Sequence, residues 1–238
     1  MDKGTLFGVS VGPGDPELLT LKAVRVIQEA DVVAVPVSSG GRTTALDIAR
    51  QHVGDKPVMR CPTPMSSDPK VLRTTHLALA DQLCAELDQG RNVAYLCLGD
   101  VGIYSTFSYV RDLVLQRGYQ VQTVPGVPSI CAAAATTNAA LCTGGETLAI
   151  VPAASSKLGS MLNLADATVV MKPGRSLEPL RATLESQGLA DDTVVVSRCG
   201  MEGERVYRGL DGCPDDLGYF SLALVRPGQY LASTAGTA

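Results

Sequence analysis

Three short turns carry the residues best placed to do chemistry: Val11-Gly12-Pro13-Gly14-Asp15, Leu98-Gly99-Asp100 and Pro125-Gly126-Val127-Pro128-Ser129. Each follows an apolar, strand-like run. A glycine there lets a ligand approach the main chain, because no Cβ stands in the way. In open α/β sheets ligands bind in the crevice outside the carboxyl ends of the strands, so the first two turns read as two walls of one binding cleft. Asp100 adds a carboxylate that can accept hydrogen bonds from ligand hydroxyls or an amine, or serve its own turn. Two nucleotide-binding readings fail. A phosphate loop needs Gly-x-x-x-x-Gly-Lys-Ser/Thr, and no lysine follows Gly14; the Gly-x-Gly-x-x-Gly fingerprint lacks its third glycine. Asp15 also occupies the amide donors an anion would want. Taken alone, the first turn reads as a tight turn and a capped helix.

The elements that position these turns alternate in the first half. Residues 5–11 read as a strand, and Asp15-Pro16 as the cap and first position of a helix running to Ala30, with Leu18, Leu19, Val26 and Ile27 at helical spacing. A strand over 31–36, a short helix to Val53, and a helix opened by Asp68-Pro69 and stopped at Gly90 follow. Leu72, Leu79, Leu83 and Leu87 mark one face of that helix, where His76 reads as a packed histidine. A strand over 92–98, a helix over 108–117 and a strand over 120–124 complete this half, which predicts a mostly parallel sheet.

The second half is richer in strands. Ser129 can cap an alanine-rich helix ending at Thr137, and strands are predicted over 147–151, 168–172, 193–198, 205–208 and 219–225. A helix is predicted over 176–187 and a frayed tail over 233–238. The fold class expected is two α/β domains, 1–122 with a mostly parallel sheet and 123–238 with a mixed one.

Composition narrows the function. The 238 residues are 45 % hydrophobic with a net charge of −4, and no basic run marks a nucleic-acid partner. No signal peptide or membrane span is evident, and seven cysteines without a Cys-x-x-Cys pair suit unpaired thiols in a reducing cytoplasm. Two histidines leave little material for a metal site or a histidine-based mechanism.

Together, the three turns and their spacing resemble the tetrapyrrole methyltransferases, the S-adenosylmethionine-dependent family of corrin and sirohaem synthesis. Gly8 to Ala23 is similar to that family's N-terminal signature, Leu98-Gly99-Asp100 to its Gly-Asp-Pro motif with Val101 in the proline position, and Val124 to Ser129 to its third motif. Within the family, Gly4 to Val9, Tyr104 to Tyr109 and Glu146 to Pro152 resemble the branch that methylates C-20 of precorrin-2 or its cobalt form in cobalamin biosynthesis.

The resemblance implies a cytoplasmic homodimer with the methyl donor, S-adenosyl-L-methionine, in the cleft between the domains and S-adenosyl-L-homocysteine as product. Pro13, Leu98, Gly99, Asp100, Ile103, Pro128 and Ser129 would line the donor site, Asp100 on the ribose side. Met171, in the segment Val170-Met171-Lys172, and Ala223 would add contacts from the second half. Asp100, Tyr104 and Glu202 are the candidates for moving the C-20 proton. The acceptor is a polycarboxylate, and of Arg42, Arg60, Arg111, Arg175 and Arg198, Arg42 and Arg198 are the favoured partners for it. Two other readings stand beside this one: the same family acting at another tetrapyrrole position, on uroporphyrinogen III or a later corrin, and a non-catalytic cofactor-binding domain. A dehydrogenase is disfavoured by the glycine spacing.

Overall fold

A computed structural model of the chain describes residues 2–38, 40–64, 66, 68–174 and 177–228. The expected pairing role of Arg175, the start of the predicted helix at Ser176 and the tail over 233–238 lie outside the described residues. The chain divides into two compact units, Met1–Ser129 and Ile130–Ala238. The Pro125 to Pro128 turn therefore belongs with the first unit.

In the first unit, β1 (Thr5–Ser10), β2 (Val32–Val37), β3 (Val58–Pro62), β4 (Val93–Cys97) and β5 (Gln120–Val124) form one sheet in the order β3-β2-β4-β1-β5. Every pairing is parallel. All five carboxyl ends therefore share one edge, and the three glycine turns meet there. Helices α1 (Leu21–Glu29), α2 (Thr44–Val53), α3 (Pro69–Asp88) and α4 (Phe107–Gln116) connect the strands. Period-2 alternation splits the core across the sheet. Val9, Val33, Val35 and Leu96 pack with Ile27 and Ile48 on one face; Leu6, Ala34, Tyr95 and Cys97 pack with Leu83, Leu87 and Phe107 on the other. Each such leucine or valine contributes about 1.5–3 kcal/mol by leaving water.

In the second unit, α5 (Ser129–Thr137), whose first residue closes the first unit, leads to a sheet of β6 (Leu148–Pro152), β7 (Ala167–Met171), β8 (Thr193–Ser197), β9 (Arg205–Arg208) and β10 (Ser221–Val225). Its order is β6-β7-β10-β8-β9. Only β6 and β7 are parallel; the other pairings are antiparallel. The expected mixed sheet is present. Helices α6 (Leu158–Leu164) and α7 (Glu178–Ser186) bury Leu158, Leu162, Leu180 and Leu184 with Val170, Val195 and Ala223.

Three local expectations are corrected. The helix expected from Pro16 to Ala30 is two pieces. Asp15 does cap it, accepting the Glu17 amide at 2.8 Å, but the turn it opens is a 3-10 turn, Pro16–Leu18. Leu19 is then extended, and Thr20 caps α1 afresh by accepting the Ala23 amide at 3.1 Å. The other two are β3 and α6, elements beyond those that apolar periodicity predicts. His76 is a packed histidine as expected, its ring stacked on Tyr109 at 5.2 Å.

Candidate functional site

The first two turns are joined glycine to glycine. The amide of Gly99 donates to the Gly12 carbonyl at 2.8 Å, and the Gly12 amide to the Gly99 carbonyl at 3.2 Å. Both glycines have φ above +70° (78° and 71°), a region L side chains rarely adopt, so this close main-chain pairing is a glycine structure. A Cβ at Gly99 would meet nothing within 4 Å, so the main chain there faces open space.

Asp100 extends the joint to the third turn. One carboxylate oxygen accepts the Gly102 amide at 2.7 Å; the other accepts the Gly126 amide at 2.7 Å and the Ser10 hydroxyl at 3.5 Å. Ser10 in turn accepts the Val101 amide at 2.9 Å. A carboxylate has about four acceptor positions, and three are taken by the protein. Asp100 thus fastens the ends of β1, β4 and β5 to one another, with capacity left for about one ligand hydrogen bond. Sequence gives Ser10 no site role and marks Gly126 only as part of its turn. The available signal was a serine closing an otherwise apolar strand: Ser10 is fully buried.

Around this joint, Pro13 is buried, while Leu98, Ile103, Pro128 and Ser129 are half-buried on the same sheet edge. Tyr104 projects from the loop after Asp100, exposed and at φ 51°. Arg42 is exposed in the loop leaving β2, again at that edge, its carbonyl accepting the Ser38 amide at 3.2 Å. Arg60 is exposed on β3, and Arg111 pairs with Asp112 at 2.7 Å.

In the second unit, Met171 ends β7 and is half-buried. Arg198 follows β8, and its Nε donates to the Glu202 carbonyl at 2.7 Å. Glu202 is exposed in that turn. Ala223 is fully buried in the middle of the central strand, paired with Val170 and Val195. Its polar main-chain groups serve the sheet ladder, and its methyl belongs to the core. Among the described residues no group of three or more His, Cys, Asp or Glu side chains could hold a metal ion, and no helix is long and apolar enough to cross a membrane.

A family model described as tetrapyrrole (corrin/porphyrin) methylases matches residues 5–211. This chain belongs to the tetrapyrrole methylases. It is 36 % identical to the cobalamin biosynthesis protein CobIJ of Mycobacterium tuberculosis over 99 % of this chain and 48 % of that protein, so it spans about half the length of that relative. It is 32 % identical to the cobalt-precorrin-2 C(20)-methyltransferase of Salmonella typhimurium, over 93 % of this chain and 96 % of that one. Its fold matches the uroporphyrin-III C-methyl transferase of Thermus thermophilus, solved in complex with S-adenosyl homocysteine. The TM-score is 0.68 at 23 % identity, covering 94 % and 98 % of the two chains. The two sheets, one parallel and one mixed, are the fold that matches that structure, and in this chain the three glycine turns sit at the carboxyl edge of the parallel one.

Proposed function

We propose that this protein transfers a methyl group from S-adenosyl-L-methionine to C-20 of precorrin-2 or cobalt-factor II, acting in cobalamin biosynthesis as a cytoplasmic homodimer. The observation that carries the reading is the similarity to the Salmonella C(20)-methyltransferase, which runs nearly end to end in both chains. The local geometry supports it. Open main chain at Gly99, the apolar Pro13, Leu98, Ile103 and Pro128, and polar Ser129 suit a ligand with an apolar body and a hydroxylated sugar.

These residues, with Asp100 and Met171, would hold the donor, which when bound supplies a methyl made electrophilic by its sulfonium. The chain's main contribution is orientation, because a fixed in-line approach removes the entropy of encounter. Asp100 keeps three turns in one geometry and has one acceptor position to offer a hydroxyl. Methylation at C-20 would form one C–C bond as the donor's S–CH3 bond breaks, leaving S-adenosyl-L-homocysteine, and would release one proton from that carbon. Asp100, Tyr104 and Glu202 are the candidates to take that proton; Asp100 is engaged by its own turns, while Tyr104 and Glu202 are exposed. Arg42 and Arg198 pair with acceptor carboxylates.

The test is anaerobic incubation of the purified protein with the donor and either acceptor, followed by mass spectrometry and NMR. One added methyl at C-20 is expected. A methyl at another carbon would move the protein to a different tetrapyrrole position, and donor binding without transfer would favour a non-catalytic role.

A further inference from the structure

Two basic residues of the second unit hold a backbone conformation that L side chains rarely adopt, Lys172 at φ 55° and Arg198 at φ 56°. Each directly follows a strand, β7 ending at Met171 and β8 at Ser197. These strands flank β10, and both run antiparallel to it. Their carboxyl ends therefore leave the sheet at the same edge. Met171 pairs with Leu222, Ser197 with Ser221, and the Arg198 amide donates to the Phe220 carbonyl at 2.6 Å. Lys172 and Arg198 thus emerge on either side of the chain entering β10, roughly 10 Å apart, twice the spacing of neighbouring strands. The entering chain carries Tyr219, 52 % exposed, its ring set edge-on to Phe220 at 5.3 Å.

Glycine is the residue that fits such φ values without steric conflict, and the turn after β8 uses it at Gly200 and Gly203 (φ 69° and 79°). At 172 and 198 the chain carries exposed cations instead. The turn also orients Arg198: its Nε donates to the Glu202 carbonyl, and a Cβ at Gly203 would stand 3.4 Å from that nitrogen. That bond uses one of the five N–H donors of the guanidinium. In a chain of net charge −4, two exposed cations leaving the sheet on either side of a strand entered through an exposed tyrosine suit a flat, conjugated polyanion. We infer that Lys172 and Arg198, with Tyr219 between them, form a carboxylate clamp that grips two acidic side chains of the acceptor while the tyrosine faces its conjugated ring. The inference rests on the tetrapyrrole reading above and adds Lys172 and Tyr219 to it.

The test uses Lys172→Gly, Arg198→Gly and the double variant, because glycine removes the cation and relieves the backbone. The probes are uroporphyrin I, with eight carboxylates, and coproporphyrin I, with four, titrated by absorbance against the full chain. Each single variant is expected to bind uroporphyrin about tenfold more weakly, the size of one charge-assisted hydrogen bond. Coproporphyrin is expected to lose less, and the thermal midpoint to hold or rise. Wild-type protein that binds neither porphyrin, or variants that bind within twofold of it, would overturn the clamp. So would a fall in the thermal midpoint alongside lost binding, which would make the two residues supports of the sheet edge. The titration needs no methyl transfer, so a failed transfer assay would count against the proposed reaction and leave the clamp to be judged by its own data.

Discussion

The carboxylate of Asp100 and the amide of Gly126 are 26 residues apart in the chain and 2.7 Å apart in the fold. The same side chain takes the Gly102 amide through its other oxygen. Two oxygens are thus committed to two N–H donors, an arrangement an amide side chain cannot copy, since one of its two ends is itself a donor. Asp100→Asn should therefore break one of the two bonds despite its matching shape. A loss of about 1.5–3 kcal/mol is expected, the range for a hydrogen bond to a charged group. Denaturant unfolding measures it, and S-adenosylhomocysteine titration should show weaker binding in parallel. An asparagine variant as stable and as tight as wild type would remove Asp100 from its fastening role.

Gly126 is constrained from the opposite side. A Cβ there would stand 2.5 Å from the Ser10 Cβ and 3.3 Å from the Gly99 carbonyl oxygen, so an added methyl collides with the end of β1 and crowds the Gly99 turn. Gly126→Ala should cost about 1–3 kcal/mol, as overpacking usually does, and should weaken donor binding. Gly145→Ala is the matched control, since a Cβ there meets nothing within 4 Å, and its unfolding curve should overlay that of the wild type. Equal behaviour of the two variants would mean the turns are not closely packed.

The turns themselves were legible because glycine, proline and aspartate are the residues turn geometry demands. Their mutual fastening was not, because no local pattern announces that Ser10 will meet Val101 or that Asp100 will meet Gly126. The strands most easily read were those buried throughout, such as β4 and β8. β3 shows no apolar run, because it is an edge strand with only Cys61 buried. α6 is seven residues long and carries a glycine at its second position, too short for helical periodicity to emerge. The break at Leu19-Thr20 is a competition between side chain and backbone. Thr20 offers its own hydroxyl to the next turn, and that bond restarts the helix where apolar spacing alone would continue it.

Thiol chemistry gives an independent check of the packing. Cys131 and Cys142 are exposed; Cys61, Cys84, Cys97, Cys199 and Cys213 are buried. Burial pushes the Cys61 and Cys97 thiols up to about 12, which removes the reactive thiolate at neutral pH. Rapid alkylation with iodoacetamide should modify Cys131 and Cys142 first, with Cys61 and Cys97 reacting only after unfolding. Peptide mass spectrometry assigns the sites. Early labelling of Cys97 would contradict the packing of β4 against α4.

Acid stability should depend on one buried arginine. Arg226 donates to the Ala140 carbonyl at 2.7 Å, to the Thr143 hydroxyl at 3.3 Å and to the Glu146 carboxylate at 2.5 Å. It thereby fastens the segment before β6 to the end of β10. The bond from Arg226, with a second from the Thr143 amide, holds the Glu146 carboxyl below its ordinary range. A carboxyl lowered in the folded state stabilises fully above its unfolded pKa, and the benefit is lost as pH falls through the folded value. Wild-type protein should therefore lose stability as the medium is acidified past the ordinary carboxylate range. Glu146→Gln should be the less stable protein at neutral pH and should show a shallower decline on acidification. Without a tryptophan to report unfolding, urea curves followed by far-ultraviolet circular dichroism at a series of pH values supply the comparison. Parallel pH profiles for the two proteins would mean that Glu146 titrates alike folded and unfolded, and that the Arg226 contact holds the segment by shape rather than by charge.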